Sequence, residues 1–234
     1  MKKTSLRLKA TDAWIKHKSR LIAPVILYVA FYLAVFCVLE SMPVERYYYL
    51  FSNIDRQIPF VKIFVLPYLA WFIWIPLVTI YYWLTDEEGF RWLRRLLIFG
   101  MTVFLVVSAL FPTKLYLRPF VLPDDGLLCR LIGMVYRHDT PTNVFPSIHV
   151  YNTCIVWYFV NTAKDGFLRR RWVQNLNSFM AISICLSTVL IKQHSLFDVF
   201  GGIGMCAVLV YGMHAMEDRK VQKLVEDRKR IGMY

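Results

Sequence analysis

Charge is scarce in this chain. Charged residues make up 19% of 234, against 57% hydrophobic residues and a mean hydropathy of +0.44. A soluble domain carries about 25% charged and about 45–50% apolar residues, so a soluble globular protein is excluded. Acidic residues are the scarcer sign, 16 against 28 Lys+Arg, for a formal net charge of +12. The basic residues flank apolar runs, which points to membrane topology rather than nucleic-acid binding. Paired Cys-x-x-Cys motifs are missing, and the five cysteines are odd in number. Cys37, Cys154, Cys185 and Cys206 lie inside apolar runs and Cys129 in a loop, so neither a disulfide framework nor a cysteine metal site follows. Internal repeats, low-complexity tracts and a small-residue cleavage site after the first apolar run are also lacking, and that run reads as a signal anchor.

What is present is six apolar stretches: Leu21–Leu39, Val61–Leu84, Leu96–Phe111, Ser147–Ala163, Leu176–Gln193 and Val199–Met216. A membrane helix needs about 20 such residues. None of the six alternates with period two, as barrel strands would. The expected fold is all-α, a polytopic bundle of six transmembrane helices, with Pro67 and Pro76 kinking the second. Trp71, Trp74, Tyr81, Tyr82 and Trp83 read as lipid-facing or belt aromatics, and Gly201, Gly202 and Gly204 as sites of close helix packing. Residues 1–20 form a basic amphipathic lead-in (Leu6, Leu8, Trp14, Ile15), 21–216 the membrane domain and 217–234 a charged tail. With both termini cytoplasmic, 20 of the 28 Lys+Arg fall on inner segments, which fixes the orientation. The uncleaved first span and short loops point to a bacterial plasma membrane.

Polar residues then concentrate where spans meet the outer surface, in three clusters at 111–119, 145–149 and 187–198. His194 and Asp198 are four apart, so on one helix face the carboxylate can fix the imidazole tautomer and leave the other nitrogen free to attack. The same pair also reads as a plain helix-end contact. Pro146 suits a first helical turn, leaving the Ser147 and Ile148 amides and the Ser147 hydroxyl as a phosphate cradle. His149, just inside it, is placed to protonate a leaving group, or is incidental to a capped helix. Arg118 offers a planar fork of donors. Lys114 and Lys192 add positive charge or snorkel to the surface. His138 and Asp139 line the pocket or cap the loop, and Asp124 and Asp125 form a solvated turn with Gly126.

In order and spacing these clusters resemble the signature of the type 2 phosphatidic acid phosphatase superfamily of membrane lipid phosphatases: Lys-x6-Arg-Pro, Pro-Ser-Gly-His and Ser-Arg-x5-His-x3-Asp. The resemblance implies that His194 is a nucleophile forming a phosphohistidine, oriented by Asp198, and that His149 is the general acid. Arg118, Ser147 and the Ile148 amide would bind phosphate, with Lys114 and Lys192 as further cations and Arg137 a third candidate. No metal or other cofactor is implied; the partners are a lipid phosphate or pyrophosphate and the bilayer. Phe111, Ile148 and Thr188 stand where the family has Lys, Gly and Arg. Pro-Ser-x-His with a weakened third motif also resembles the inositolphosphorylceramide synthase-like branch, phosphotransferases that move a phosphorylated headgroup between lipids. A transporter or scaffold is the third reading. It fits less well, because the ionisable residues gather at one end instead of lining a path.

Overall fold

A computed structural model describes residues 2–164 and 166–230, with side chains described for 12–164 and 166–228. It is helical throughout: α1 Lys2–Ser41, α2 Asn53–Gln57, α3 Val65–Thr85, α4 Glu87–Leu110, α5 Leu127–His138, α6 Ile148–Asn161, α7 Arg171–Leu190 and α8 Leu196–Arg230. Among the described residues extended pairing is limited to two isolated bridges, Tyr48 with Thr113 and Lys114 with Thr142.

Five helical stretches are long and apolar enough to cross a membrane: Asp12–Ser41, Lys62–Thr85, Glu87–Leu110, Arg171–Leu190 and Leu196–Arg228. The sixth expected span is α6, whose 14 residues reach about 21 Å at 1.5 Å per residue, short of the roughly 30 Å hydrocarbon core. It lies at the centre of the bundle, packed by α3, α4, α7 and α8. Val150, Tyr151, Ile155, Val156 and Val160 are all buried along it.

Local chemistry sets the boundaries. α4 begins nine residues before the expected span because Asp86 caps it, accepting the Gly89 amide at 2.9 Å, with Glu87 and Glu88 in the first turn. Asp86 alone separates α3 from α4, so the two run antiparallel. Pro67 falls in the first turn of α3, where no amide is needed, which leaves Pro76 as the proline inside the helix. The basic lead-in continues into α1 without a break; Leu6 and Leu8 lie outside the described side chains, while Trp14 and Ile15 are exposed. The tail likewise continues α8 as far as Arg230.

Of the α3 aromatics expected as lipid-facing or belt residues, three direct their polar tips to partners within the protein. Tyr82 is buried and donates to the Phe159 carbonyl at 2.7 Å. Trp74 donates to Asn177 at 3.1 Å and Trp83 to the Lys18 carbonyl at 2.9 Å. Gly202 is a close-packing site: a Cβ there would stand 2.7 Å from the Ser147 carbonyl oxygen. Gly204 is not, because a Cβ would meet nothing within 4 Å.

This up-and-down path puts the α3–α4 and α6–α7 turns, with Lys18 and Glu87, at one end of the bundle. The α7–α8 turn, the start of α6 and the long 111–147 connection meet at the other. There a second apolar cluster of Val65, Tyr68, Ile132, Val135 and Ile191 seats amphipathic α5 against the start of α3. Cys129, expected in a loop, lies buried on α5.

Candidate active site

The α7–α8 turn is built by main-chain contacts. Lys192 adopts a left-handed conformation, φ 58°, and the amides of Gln193 and His194 both donate to the Thr188 carbonyl at 2.9 Å. α8 begins only at Leu196. Ser195 and Asp198 form a reciprocal cap: the Asp198 amide donates to the Ser195 hydroxyl at 3.2 Å, and the Ser195 amide to Asp198 Oδ2 at 2.7 Å. His194 therefore precedes the helix instead of sharing a helical face with Asp198. The cap nevertheless brings the two together, with His194 Nδ1 3.5 Å from Asp198 Oδ2. Both residues are buried.

His149 enters from the first turn of α6. Its ring centroid lies 5.8 Å from that of His194, 4.6 Å from Tyr68 and 4.5 Å from Trp71. Trp71 thus packs on the imidazole. Neither ring nitrogen of His149 has a hydrogen-bond partner among the described residues, nor do His194 Nδ1, Asp198 Oδ1 or Arg118 Nε, all of them buried atoms. A buried polar atom left unsatisfied costs about 1–3 kcal/mol, and most of those among the described residues gather here. That pattern suits a site organised for a polar ligand.

Ser147 caps α6, its hydroxyl accepting the Val150 amide at 3.4 Å. Its own amide, expected to be open, donates to the Asp198 carbonyl at 3.0 Å. Ile148 opens the helix beside it. Arg118 donates to the carbonyls of Tyr136 at 3.1 Å and Asp139 at 2.5 Å and to the side chain of Gln193, with its guanidinium over the Tyr136 ring at 4.4 Å. Burial lowers its pKa, against the opposing pull chiefly of Asp139.

The ammonium groups of the two lysines have contacts of their own. Lys192 Nζ is buried and donates to the carbonyls of Asp55 at 2.7 Å and Ile58 at 2.5 Å; burial lowers its pKa, with Asp55 opposing. Lys114 Nζ lies over the rings of Tyr47 and Tyr116, at 5.1 and 5.5 Å. Arg137 is exposed in the last turn of α5. Asp124 holds the Gly126 amide at 2.9 Å and pairs with Lys62, which together hold its pKa down at about 2.

Sequence reasoning missed four participants. Asp55, fully buried, accepts the Leu196 amide at 2.7 Å and so fastens α2 to the turn that carries His194. Its signal was available in Ser52-x-x-Asp55, a capping box that the structure forms. Tyr68 and Gln193 carried none, since only the fold brings them to Asp139. Glu40 accepts from Thr140, Thr142 and Asn143, tying the end of α1 to the strand of chain before α6. Of the undecided pair, Asp139 lies at the site, while His138 is exposed with Nδ1 beside the Met134 carbonyl.

A bundle of apolar helices with two histidines and an aspartate buried at one end, beside a half-buried arginine, defines a polytopic membrane protein. The chain belongs to the PAP2 superfamily, whose sequence profile matches residues 91–222, more than half of its length. Membership and the apolar helices together fit a membrane lipid phosphatase. Searches of the curated proteins and of the solved structures return no match.

Proposed function

We propose that this protein is an integral membrane lipid phosphatase that works through a phosphohistidine. The reading rests chiefly on the 5.8 Å pairing of two buried imidazoles whose nitrogens are otherwise uncommitted. The Asp198 carboxylate, 3.5 Å from His194 Nδ1, favours the tautomer protonated there by its charge, leaving Nε2 to attack phosphorus. The phosphorus–ester oxygen bond breaks, and His149 gives its proton to the departing lipid alkoxide. Water then attacks the phosphohistidine and passes a proton to His149, releasing phosphate and restoring His194. The unpaired Nε–H of Arg118, the Ser147 hydroxyl and the Ile148 amide stabilise the phosphoryl oxygens. Lys114 and Lys192 are not assigned to phosphate, since their ammonium groups are engaged elsewhere. The Lys+Arg distribution supports cytoplasmic termini and a site at the outer face of the membrane.

One observation favours a second reading, headgroup transfer between lipids. The family's Lys and Arg are Phe111 and Thr188 here, and Asp139 stands against Arg118. A site with so little net positive charge suits a singly charged phosphodiester better than a near-dianionic monoester. The two readings separate when purified protein in detergent is given lipid monophosphates, lipid pyrophosphates and phosphodiester lipids with an alcohol acceptor. Release of inorganic phosphate supports the phosphatase. Headgroup transfer without phosphate release supports the transferase, and neither product overturns both.

A further inference from the structure

His149 has no polar partner among the described residues to orient it; its buried imidazole is held by ring contacts, with Tyr68 stacked on it at 4.6 Å and 30° and Trp71 tilted against it at 4.5 Å. What fixes Tyr68 therefore helps to fix His149. Tyr68 is fully buried in the first turn of α3, and its hydroxyl donates to Asp139 Oδ2. The same oxygen accepts Gln193 Nε2 at 3.1 Å, and Gln193, next in sequence to His194, also accepts from Arg118. The Asp139 backbone is fixed in turn: its amide closes α5 on the Val135 carbonyl at 2.8 Å, and its carbonyl takes Arg118 at 2.5 Å. One carboxylate thus joins the Tyr68 ring against one histidine to the residue beside the other.

We infer that Asp139 is a positioning residue, acting through Tyr68 to hold His149 where it can protonate the leaving group. This rests on the reading of His149 as general acid. The carboxylate touches no reacting atom. Its effect is to keep the stacked phenol, and hence the imidazole, in register with His194.

The test exploits the leaving group. An alkyl phosphate such as dodecyl phosphate needs its leaving oxygen protonated, whereas para-nitrophenyl phosphate departs as a stable anion. Phosphoenzyme formation is measured in single turnovers of the full chain in detergent with each substrate. Asp139→Ala should slow the saturated rate on dodecyl phosphate about tenfold or more, part of the roughly 10²–10⁴ available to acid catalysis. Half-saturation should stay within about twofold, and the loss on para-nitrophenyl phosphate should be much smaller. Tyr68→Phe keeps the stacked ring but cuts the link, and should reproduce the pattern even if the alanine variant fails to fold. Asp139→Asn, which retains an oxygen for the Tyr68 hydroxyl, should recover most of the rate. Equal losses on both substrates, or an unchanged rate in Asp139→Ala and Tyr68→Phe, would overturn the inference. His149→Ala is the separate control: if it too shows no leaving-group dependence, the general-acid reading fails. If it does while the other two variants do not, only the role of Asp139 fails.

Discussion

The backbone amide of Ser147 donates to the backbone carbonyl of Asp198 at 3.0 Å. The helix that carries His149 is thereby joined, main chain to main chain, to the first turn of the helix that follows His194. No side chain intervenes, so the spacing of the two histidines depends on how closely α6 and α8 approach.

Gly202 permits that approach. Gly202→Ala would place a methyl group 2.7 Å from the Ser147 carbonyl oxygen and 3.1 Å from Val150 Cβ. Overpacking of this kind costs about 1–3 kcal/mol, and activity should fall more steeply than stability as Ser147 is pushed away. Gly204→Ala, with open space around it, should be neutral or stabilising by up to about 1 kcal/mol. Thermal unfolding in detergent and turnover on a lipid monophosphate, run for both variants, check the contrast.

His194→Ala should abolish both turnover and the acid-labile, base-stable phosphoprotein formed with labelled substrate. Asp198→Asn should lose at least about tenfold in rate, because the tautomer is no longer held. It should keep most of its stability, because the Asn side-chain oxygen can still accept the Ser195 amide of the α8 cap. Near-native phosphoprotein formation in His194→Ala would refute the mechanism.

The lysines should behave as the structure places them. Lys114→Ala should leave kcat/KM within about twofold. Lys192→Met strips two buried carbonyls of their donor, so it should lower stability by about 1–3 kcal/mol with KM for the lipid phosphate unchanged. A tenfold rise in KM for either variant would return that lysine to the phosphate site.

Topology is tested by thiol labelling of intact cells. A cysteine introduced near Gly126 should react with a membrane-impermeant reagent, and one within 166–171 should not. The reverse pattern would invert the orientation derived from the distribution of Lys and Arg.

Most of the architecture was legible because hydrophobic length is a property of one segment at a time. Five spans could be read from their own residues, and so could His149, His194, Asp198 and Arg118 from their local motifs. The central α6 is shorter than the other five, and a helix sheathed by its neighbours is as apolar as one bathed in lipid, so composition alone does not set its length. The four-residue spacing of His194 and Asp198 suggests one helix, but Ser195-x-x-Asp198 spells a helix start immediately after His194. Long-range partners left no local mark: Tyr68 and Asp139 are 71 residues apart, and Asp55 reaches the amide of Leu196 across 141. The α3 tryptophans read as lipid anchors because the sequence does not say which polar groups will face them.

The superfamily match begins at residue 91, four residues into α4. Every proposed reacting group lies after that point, whereas Tyr68 and Trp71, which wall in His149, and Asp55 and Glu40, which brace the site, lie before it. A chimera joined at Asp86 would therefore keep the whole reaction apparatus of this chain and exchange the mould pressed around it. The reacting groups are written on one length of the polypeptide, and part of what shapes their surroundings is written on another.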